Sequence, residues 1–204
     1  DAKGNIYVCD LVNQEVVEIS PEGKKLSSAK VPWPDKVMVN SKTGDLYVVS
    51  TQVSRGFRPP SILMKVSGRG ESAKVEAKLG LTNALGTTLA LDETGKEPVL
   101  WIGGGGELVR VIDKGSALEI EGKSIINPNK DDITFVCYGA VDAEAELVYI
   151  TTGMGPVWRY NGETGEGSLL PIKACDIAIG PDGLIYGWGD DGSYQGKIAR
   201  YTRD

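Results

Sequence analysis

Histidine is absent from the 204-residue chain, and its absence excludes several kinds of chemistry at once. A Ser-His-Asp or Cys-His catalytic site, a His-ligated zinc site and a CxxCH haem attachment all require an imidazole. Carboxylates, amides, hydroxyls and lysine amines remain. Any catalytic or metal site must therefore be built from those groups.

Long apolar runs and basic clusters are also missing. No stretch approaches the roughly 18 consecutive apolar residues of a membrane-spanning helix, so we expect no membrane insertion. The net charge is −6 at pH 7, and no block of five or six Lys and Arg residues occurs. Because such a chain would repel a phosphate backbone, we expect no nucleic-acid partner.

Cysteine is scarce, and its positions give little sign of chemistry. Cys9, Cys137 and Cys175 each lie in an apolar, strand-like run, and no two of them have CxxC spacing. We interpret them as small buried apolar residues. One disulfide with a single free thiol is the alternative.

An internal repeat is the strongest positive signal in the sequence. Five segments share a turn residue followed by an apolar strand with an aromatic residue. The aromatic residues are Tyr7, Tyr47, Trp101, Tyr149 and Tyr186. Their spacings of 40, 54, 48 and 37 residues are close to the roughly 45 residues of a four-stranded propeller blade.

Further strands surround each aromatic strand. A second strand, with apolar and charged residues roughly alternating, follows at Val16–Ser20, Ile62–Gly68, Leu108–Asp113, Val157–Gly162 and Lys197–Thr202. A short apolar run, the predicted innermost strand, precedes four of the aromatics in VMVN, TLALD, YGAVD and DIAIG. Period-two patterning with glycine-bearing turns indicates antiparallel strands.

The repeat therefore predicts an all-β fold, a β-propeller of four-stranded antiparallel blades, with residues 1–204 as one domain. Five blades are visible, and the first has no apolar run ahead of Tyr7. We expect them to belong to a ring of six or seven blades. The chain begins at Asp1 rather than Met, so we expect a processed product or an excerpt, with the missing blades in the same longer chain or another chain.

The first unit, GNIYVCDLVNQEVVEISPEGK, resembles an NHL repeat. The matching positions are Gly4, Tyr7, Val8, Asp10, Asn13 and Gly23. Gln14 stands where the family usually carries Arg. Similar units occur in the wider six-bladed superfamily that includes gluconolactonase-like and strictosidine-synthase-like proteins. The resemblance implies a propeller blade without implying a particular activity.

The gluconolactonase-like resemblance also implies a metal site. In those relatives acid and amide side chains beside the innermost strands hold a divalent ion, and Asp35, Asn83 and Asp176 match that place in this chain. Oxygen ligands suit Ca²⁺ or Mg²⁺. A second candidate is the loop NPNKDDI, in which Asn127, Asn129 and Asp131 alternate as in a calcium loop, although a solvated loop is the competing interpretation.

Three other motifs have a structural and a functional interpretation. The segment GWGDDG satisfies G-x-G-x-x-G, but no helix follows it and two aspartates would repel a pyrophosphate, so we interpret it as a blade loop. The run Gly103–Gly106 predicts a tight turn between two strands, with close approach of a ligand as the alternative. Trp33 and Trp188 could contact a sugar or a peptide, or pack under a loop.

Two functions remain open. The favoured hypothesis is a non-catalytic binding or scaffold module that presents a loop face to a protein or saccharide partner, with no catalytic residues and no cofactor other than a possible Ca²⁺ or Mg²⁺. The alternative is a gluconolactonase-like hydrolase that depends on a divalent metal. Acidic charge, abundant turns and the type of repeat favour a periplasmic or extracellular location.

Overall fold

The protein is all-β, and its strands form five antiparallel sheets of the β-propeller type, as the repeat predicts. The computed structural model describes residues 1–52, 60–82, 85–126, 133, 135–153, 155–180, 182–189 and 198–202. Within those residues the helical content is one 3₁₀ turn at Gly70–Ser72. A search of the described part of the chain for a helix able to cross a membrane finds none.

Each sheet is one blade, and its strands follow one another along the chain. Blade 1 contains β1 (Ile6–Asp10), β2 (Glu15–Ile19) and β3 (Lys25–Lys30). Blade 2 contains β4 (Pro34–Val39), β5 (Leu46–Ser50), β6 (Ile62–Ser67) and β7 (Lys74–Gly80). Blade 3 contains β8 (Thr88–Asp92), β9 (Val99–Gly104), β10 (Glu107–Asp113) and β11 (Leu118–Glu121). Blade 4 contains β12 (Tyr138–Asp142), β13 (Leu147–Thr151), β14 (Pro156–Asn161) and β15 (Gly167–Lys173), and blade 5 contains β16 (Asp176–Ile179), β17 (Ile185–Trp188) and β18 (Ile198–Tyr201).

The predicted strand positions are confirmed. The short apolar runs form the innermost strands β4, β8, β12 and β16, and the repeated aromatic residue lies in the next strand of blades 2 to 5. In blade 1 the strand with Tyr7 is β1 itself, so within the described residues this blade has no strand inside it, as predicted. Blade 5 has three described strands and blades 2, 3 and 4 have four.

The chain divides into two compact units. Unit 1 comprises Asp1–Gly86 and Ile112–Glu119, and unit 2 comprises Thr87–Val111 and Ile120–Asp204. Blades 1 and 2 belong to unit 1, and blades 4 and 5 belong to unit 2. In blade 3, β8 and β9 belong to unit 2, whereas β10 and β11 are divided between the units. That residues 1–204 form one domain stays a prediction from the repeat.

Apolar side chains between neighbouring blades form the core of each unit. In unit 1, blades 1 and 2 share a cluster of Val16, Ala29, Val31, Leu46, Val48, Met64 and Val66. In unit 2 one cluster joins blades 3 and 4 around Trp101, Val136 and Ile150, and another joins blades 4 and 5 around Ala140, Tyr149 and Ile177. Full burial of a Val, Leu or Ile side chain contributes roughly 1.5–3 kcal/mol, so these clusters hold adjacent blades together.

Candidate functional site

The innermost strands of unit 2 begin together at one end of that unit. β12 packs beside both β8 and β16. The Thr87 hydroxyl, just before β8, donates to the carbonyl of Val136, just before β12. The Thr151 hydroxyl, at the end of β13, donates to the carbonyl of Cys175, just before β16, at 3.1 Å. We call this region, formed by residues 87–88, 135–138, 175–176 and 188, the inner-strand end of unit 2.

The same backbone hydrogen bond occurs just before each innermost strand of unit 2. In blades 3, 4 and 5, the residue just before the innermost strand donates its backbone N–H to a carbonyl on the next strand. The accepting residue is the one that pairs with the first residue of the innermost strand. The donor and acceptor pairs are Thr87 and Gly103 (3.0 Å), Cys137 and Thr151 (2.9 Å), and Cys175 and Trp188 (2.7 Å). These main-chain bonds fix the residue before each innermost strand against the neighbouring strand of its blade.

Aromatic and acidic side chains are exposed at the inner-strand end. Phe135 and Tyr138 keep 46% and 40% of their surfaces accessible. Asp176, the first residue of β16, is exposed, and its neighbour across the ladder, Trp188, is half-buried. The Asp176 carboxylate accepts the backbone N–H of Ile177 at 2.8 Å. The region therefore offers apolar ring surface and a carboxylate oxygen, with Tyr138 and Asp176 held on strands.

Two of the three metal ligands implied by the sequence can be placed. Asp35 is the second residue of β4 in unit 1, Asp176 is the first residue of β16 in unit 2, and both are exposed. Asn83 lies outside the described residues. Both described acids therefore lie near the start of an innermost strand, and their role as metal ligands stays a prediction. No group of three His, Cys, Asp or Glu side chains suited to a metal occurs in the described parts of the chain.

The other predicted motifs have mixed outcomes. Gly105 and Gly106 form the turn between β9 and β10 with φ values of +52° and +79°, so the tight-turn interpretation of this run is confirmed. Gly187 lies in β17, and Gly192 of the same G-x-G-x-x-G motif lies outside the described residues. Trp33 is half-buried. The calcium-loop residues Asn127, Asn129 and Asp131 also lie outside the described residues.

Unit 1 contains a polar cavity of about 380 Å³ that the sequence did not predict. Its lining includes Asp1, Lys3, Tyr7, Glu18, Lys42 and Arg69. The Arg69 guanidinium lies 5.2 Å from the centre of the Tyr7 ring and donates to the carbonyls of Gly44 and Gly68, each at 2.6 Å. Because Arg69 and Tyr7 are distant in sequence and belong to different blades, no local spacing signals this contact.

Glu18 is the acidic centre of that cavity. Its carboxylate accepts hydrogen bonds from Ser27 at 2.6 Å, Asn5 at 2.9 Å and Tyr7 at 3.2 Å. The hydrogen bond from Ser27, with smaller contributions from Tyr7, Arg69 and Asn5, lowers the pKa of Glu18 although partial burial opposes this. The carboxylate is therefore ionised and already paired, which indicates a structural role at the junction of blades 1 and 2.

A buried ionic cluster also lies in unit 1. The Lys65 ammonium is 2.8 Å from Oδ2 of Asp113 and 3.4 Å from Oδ2 of Asp45, and the Tyr47 hydroxyl donates to Asp113. Burial and then the Asp113 hydrogen bond raise the pKa of Tyr47. Burial opposes protonation of Lys65, but Asp113 and Asp45 outweigh it and raise the pKa of Lys65. Both groups keep their protons at neutral pH, so neither serves as a general base.

The three cysteines are free thiols, and Cys9 and Cys137 lie in environments that disfavour the thiolate. Burial raises the pKa of Cys9 to about 11, with the charge of Asp35 adding to the effect and that of Lys36 opposing it. Burial and then the neighbouring Cys175 raise the pKa of Cys137. Cys175 is buried, whereas Cys9 and Cys137 are half-buried, so the expected burial is complete only for Cys175.

Neither a protein-family model nor a curated protein sequence matches the chain. Several solved structures are similar to it. A protein of unknown function from Bacteroides thetaiotaomicron VPI-5482 is 14% identical with a TM-score of 0.60, covering 91% of this chain and 50% of that one. A protein of unknown function from Bacteroides caccae is 13% identical with a TM-score of 0.57, covering 91% and 67%. Apo AztD from Citrobacter koseri is 13% identical with a TM-score of 0.56, covering 98% and 57%.

These similarities concern the fold. The chain spans 50% of the first of these proteins and 57% of AztD. At 13–14% identity, a shared fold does not carry a shared activity. The comparisons therefore support the β-propeller architecture.

Proposed function

We propose that the chain is a non-catalytic β-propeller binding module that recognises a saccharide or protein partner at the inner-strand end of unit 2. One observation carries the proposal. Phe135 and Tyr138 keep 46% and 40% of their surfaces exposed where β12 begins, and the exposed Asp176 begins the neighbouring innermost strand.

Exposed rings beside a carboxylate suit both kinds of partner. A ring offers an apolar face to the C–H groups of a sugar or to a side chain, and tyrosine adds a hydroxyl at its edge. Aromatic residues are also enriched among the residues that dominate binding energy at protein interfaces. A carboxylate accepts hydrogen bonds from sugar hydroxyls or from peptide N–H groups. Groups held on strands are positioned more rigidly than groups on loops.

A glycan array followed by calorimetric titration of the best ligand tests the saccharide partner. Tyr138→Ala and Asp176→Asn should each weaken binding about tenfold or more, equivalent to about 1.4 kcal/mol. Leu169→Ala is the control, because Leu169 is 54% exposed on β15 of the same blade, away from the start of β12. Glycan binding that survives both site variants would contradict the proposed site. If no glycan on the array bound the protein, a saccharide partner would be excluded. The same variants would then test a protein partner.

We further propose that the module belongs to a larger propeller, completed by a longer chain or by another chain, in the periplasm or outside the cell. Blades 2, 3 and 4 have four strands each, whereas in the described residues β1 has no strand on its inner side, and this supports the proposal. Mass spectrometry of the natural protein under denaturing and native conditions tests it. A native mass equal to that calculated for 204 residues would contradict it. Cell fractionation tests the location.

A gluconolactonase-like hydrolase is the second candidate function, with Asp35, Asn83 and Asp176 as ligands of Ca²⁺ or Mg²⁺. The exposure of both described carboxylates, each near the start of an innermost strand, favours it. Their oxygens suit a hard divalent ion, which when bound would polarise a lactone carbonyl. Metal-dependent lactone hydrolysis should then disappear in Asp35→Ala and Asp176→Ala and persist in Glu119→Ala, an exposed acid on β11. Activity unaffected by the first two changes would contradict this candidate.

A further inference from the structure

Two thiols occupy the same structural position in neighbouring blades of unit 2. Cys137 immediately precedes β12 and Cys175 immediately precedes β16, and these two innermost strands pack side by side. The N–H of each cysteine is bonded to a carbonyl on the next strand of its blade. The repeat therefore places both cysteines at the same level of adjacent strands.

One buried residue connects the backbones of the two cysteines. The carbonyl of Thr151 accepts the N–H of Cys137 at 2.9 Å, and the hydroxyl of Thr151 donates to the carbonyl of Cys175 at 3.1 Å. Thr151 has no accessible surface. Because both contacts come from one residue in the core, the segments that carry the thiols are held close and in a fixed relation.

Thr87, the equivalent residue in blade 3, shows which segment a side chain at the position of Cys137 contacts. Thr87 makes the same backbone hydrogen bond as Cys137, and its hydroxyl donates to the carbonyl of Val136 in the segment that leads to the next innermost strand. The corresponding segment beyond Cys137 contains Cys175. The repeat therefore predicts that a side chain at position 137 reaches towards the segment that carries Cys175.

We infer that Cys137 and Cys175 are a modification site, a thiol pair that low-molecular-weight disulfides convert into a reversible disulfide bond between blades 4 and 5. The half-buried Cys137 reacts first, since Cys175 is only 3% exposed. The Cys137 thiolate attacks the reagent RSSR, forming a Cys137–S–S–R bond and releasing one RSH. The Cys175 thiolate then attacks the Cys137 sulfur and expels the second RSH. The inference does not depend on the identity of the binding partner.

Oxidation of the folded Cys9→Ser variant with oxidised glutathione tests the inference, because that variant retains only Cys137 and Cys175. Remaining thiols are blocked with N-ethylmaleimide, and intact mass and non-reduced peptide maps are recorded. We expect the mass of two hydrogen atoms to be lost and a linked Cys137–Cys175 peptide that dithiothreitol separates. A stable glutathione adduct without the linked peptide would overturn the inference. So would thiols that N-ethylmaleimide modifies but oxidised glutathione leaves unchanged.

Two single replacements in the same background test the order of the steps. Cys175→Ser should stop at the Cys137–glutathione adduct, and Cys137→Ser should leave the buried Cys175 unmodified. The opposite pattern would overturn the assigned order. Thr151→Val, which removes the hydroxyl bonded to the Cys175 carbonyl, should slow formation of the bridge several-fold relative to Thr151→Ser. Equal rates would show that Thr151 does not hold the thiols together.

Discussion

The hydroxyl of Tyr47 donates a 2.6 Å hydrogen bond to Oδ2 of Asp113, a residue 66 positions further along the chain. The same oxygen lies 2.8 Å from the Lys65 ammonium, and Asp113 and Tyr47 are 3% and 0% exposed. The other Asp113 oxygen accepts the N–H of Gly115 at 2.7 Å. A single carboxylate thus ties β5 and β6 of blade 2 to the segment 112–119 within unit 1.

Asp113→Ala should be among the most destabilising single changes in unit 1. It leaves the Lys65 charge without its closest partner, and loss of one member of a buried ion pair costs about 3–5 kcal/mol. Tyr47→Phe removes one hydrogen bond to a charged group and should cost about 1.5–3 kcal/mol. Urea unfolding measures both changes.

Tyr186→Phe is the matched control for Tyr47→Phe. The Tyr186 hydroxyl also donates to an aspartate, Asp182, at 2.8 Å, but this bond is exposed. We expect a change within about 0.5 kcal/mol. Equal costs for the two tyrosines would show that burial does not determine the strength of the Tyr47 bond.

The stability of blade 1 should depend on acid pH through Glu15. Its carboxylate lies 2.7 Å from the Lys25 ammonium and 2.9 Å from that of Lys30, and Ser28 donates to it. Hydrogen bonds from Lys25 and then Lys30 lower the pKa of Glu15 from 4.5 to about 2. A lowered pKa stabilises the folded state above the pKa of the unfolded chain, and this contribution disappears as pH falls through the folded-state value.

Glu15→Gln should therefore be less stable than the parent at pH 7, and the difference should shrink between pH 4.5 and about 2. Urea unfolding at several pH values measures this, with the exposed Glu119→Gln as control. A difference that stays constant down to pH 2 would indicate a packing effect rather than ionisation of Glu15.

Gly103→Ala should destabilise the inner-strand end of unit 2. A Cβ at this position would lie 2.7 Å from Cγ2 of Thr88 and 2.7 Å from Cγ1 of Val136, and both side chains are buried. Overpacking of this kind costs about 1–3 kcal/mol. Gly80→Ala, with no atom within 4 Å of its Cβ, is the control. The double variant Gly103→Ala, Val136→Ala should show non-additive unfolding free energies, because the second change makes room for the first.

Arg69→Lys should destabilise unit 1 by about 1–2 kcal/mol, since a lysine cannot stack its head group on Tyr7 while reaching two carbonyls. Arg110→Lys is the control, because Arg110 pairs with Glu121 where both side chains are 40–50% exposed. Exposed pairs of this kind contribute about 0–1 kcal/mol. Thermal unfolding of both variants measures the difference, and equal shifts in Tm would contradict a special role for the guanidinium.

Elements within a blade could be predicted from the sequence because their signals are local. The apolar run before Tyr149 became β12, and the glycines at 105 and 106 became a turn with positive φ. Contacts between blades could not be predicted in the same way. The hydrogen bond from Thr151 to Cys175 depends on how the adjacent sheets twist and pack. The two residues lie in different blades, and the repeat pattern contains no signal for their contact.

The candidate site was likewise only partly predictable from the sequence. The two described acids that the sequence suggested as metal ligands, Asp35 and Asp176, lie near the starts of innermost strands. It did not single out Phe135 or Tyr138, because an aromatic in an apolar run usually signals core, and only the folded chain shows these two exposed. The metal assignment stays a prediction.

The hydrogen bond that precedes each innermost strand in unit 2 has an evolutionary consequence. Its donor and acceptor are main-chain groups, so the bond itself does not require a particular side chain at the donating residue. Threonine occupies the position in one blade and cysteine in the next two. A substitution at this position can therefore change the side chain while the main-chain bond at the start of the strand is kept.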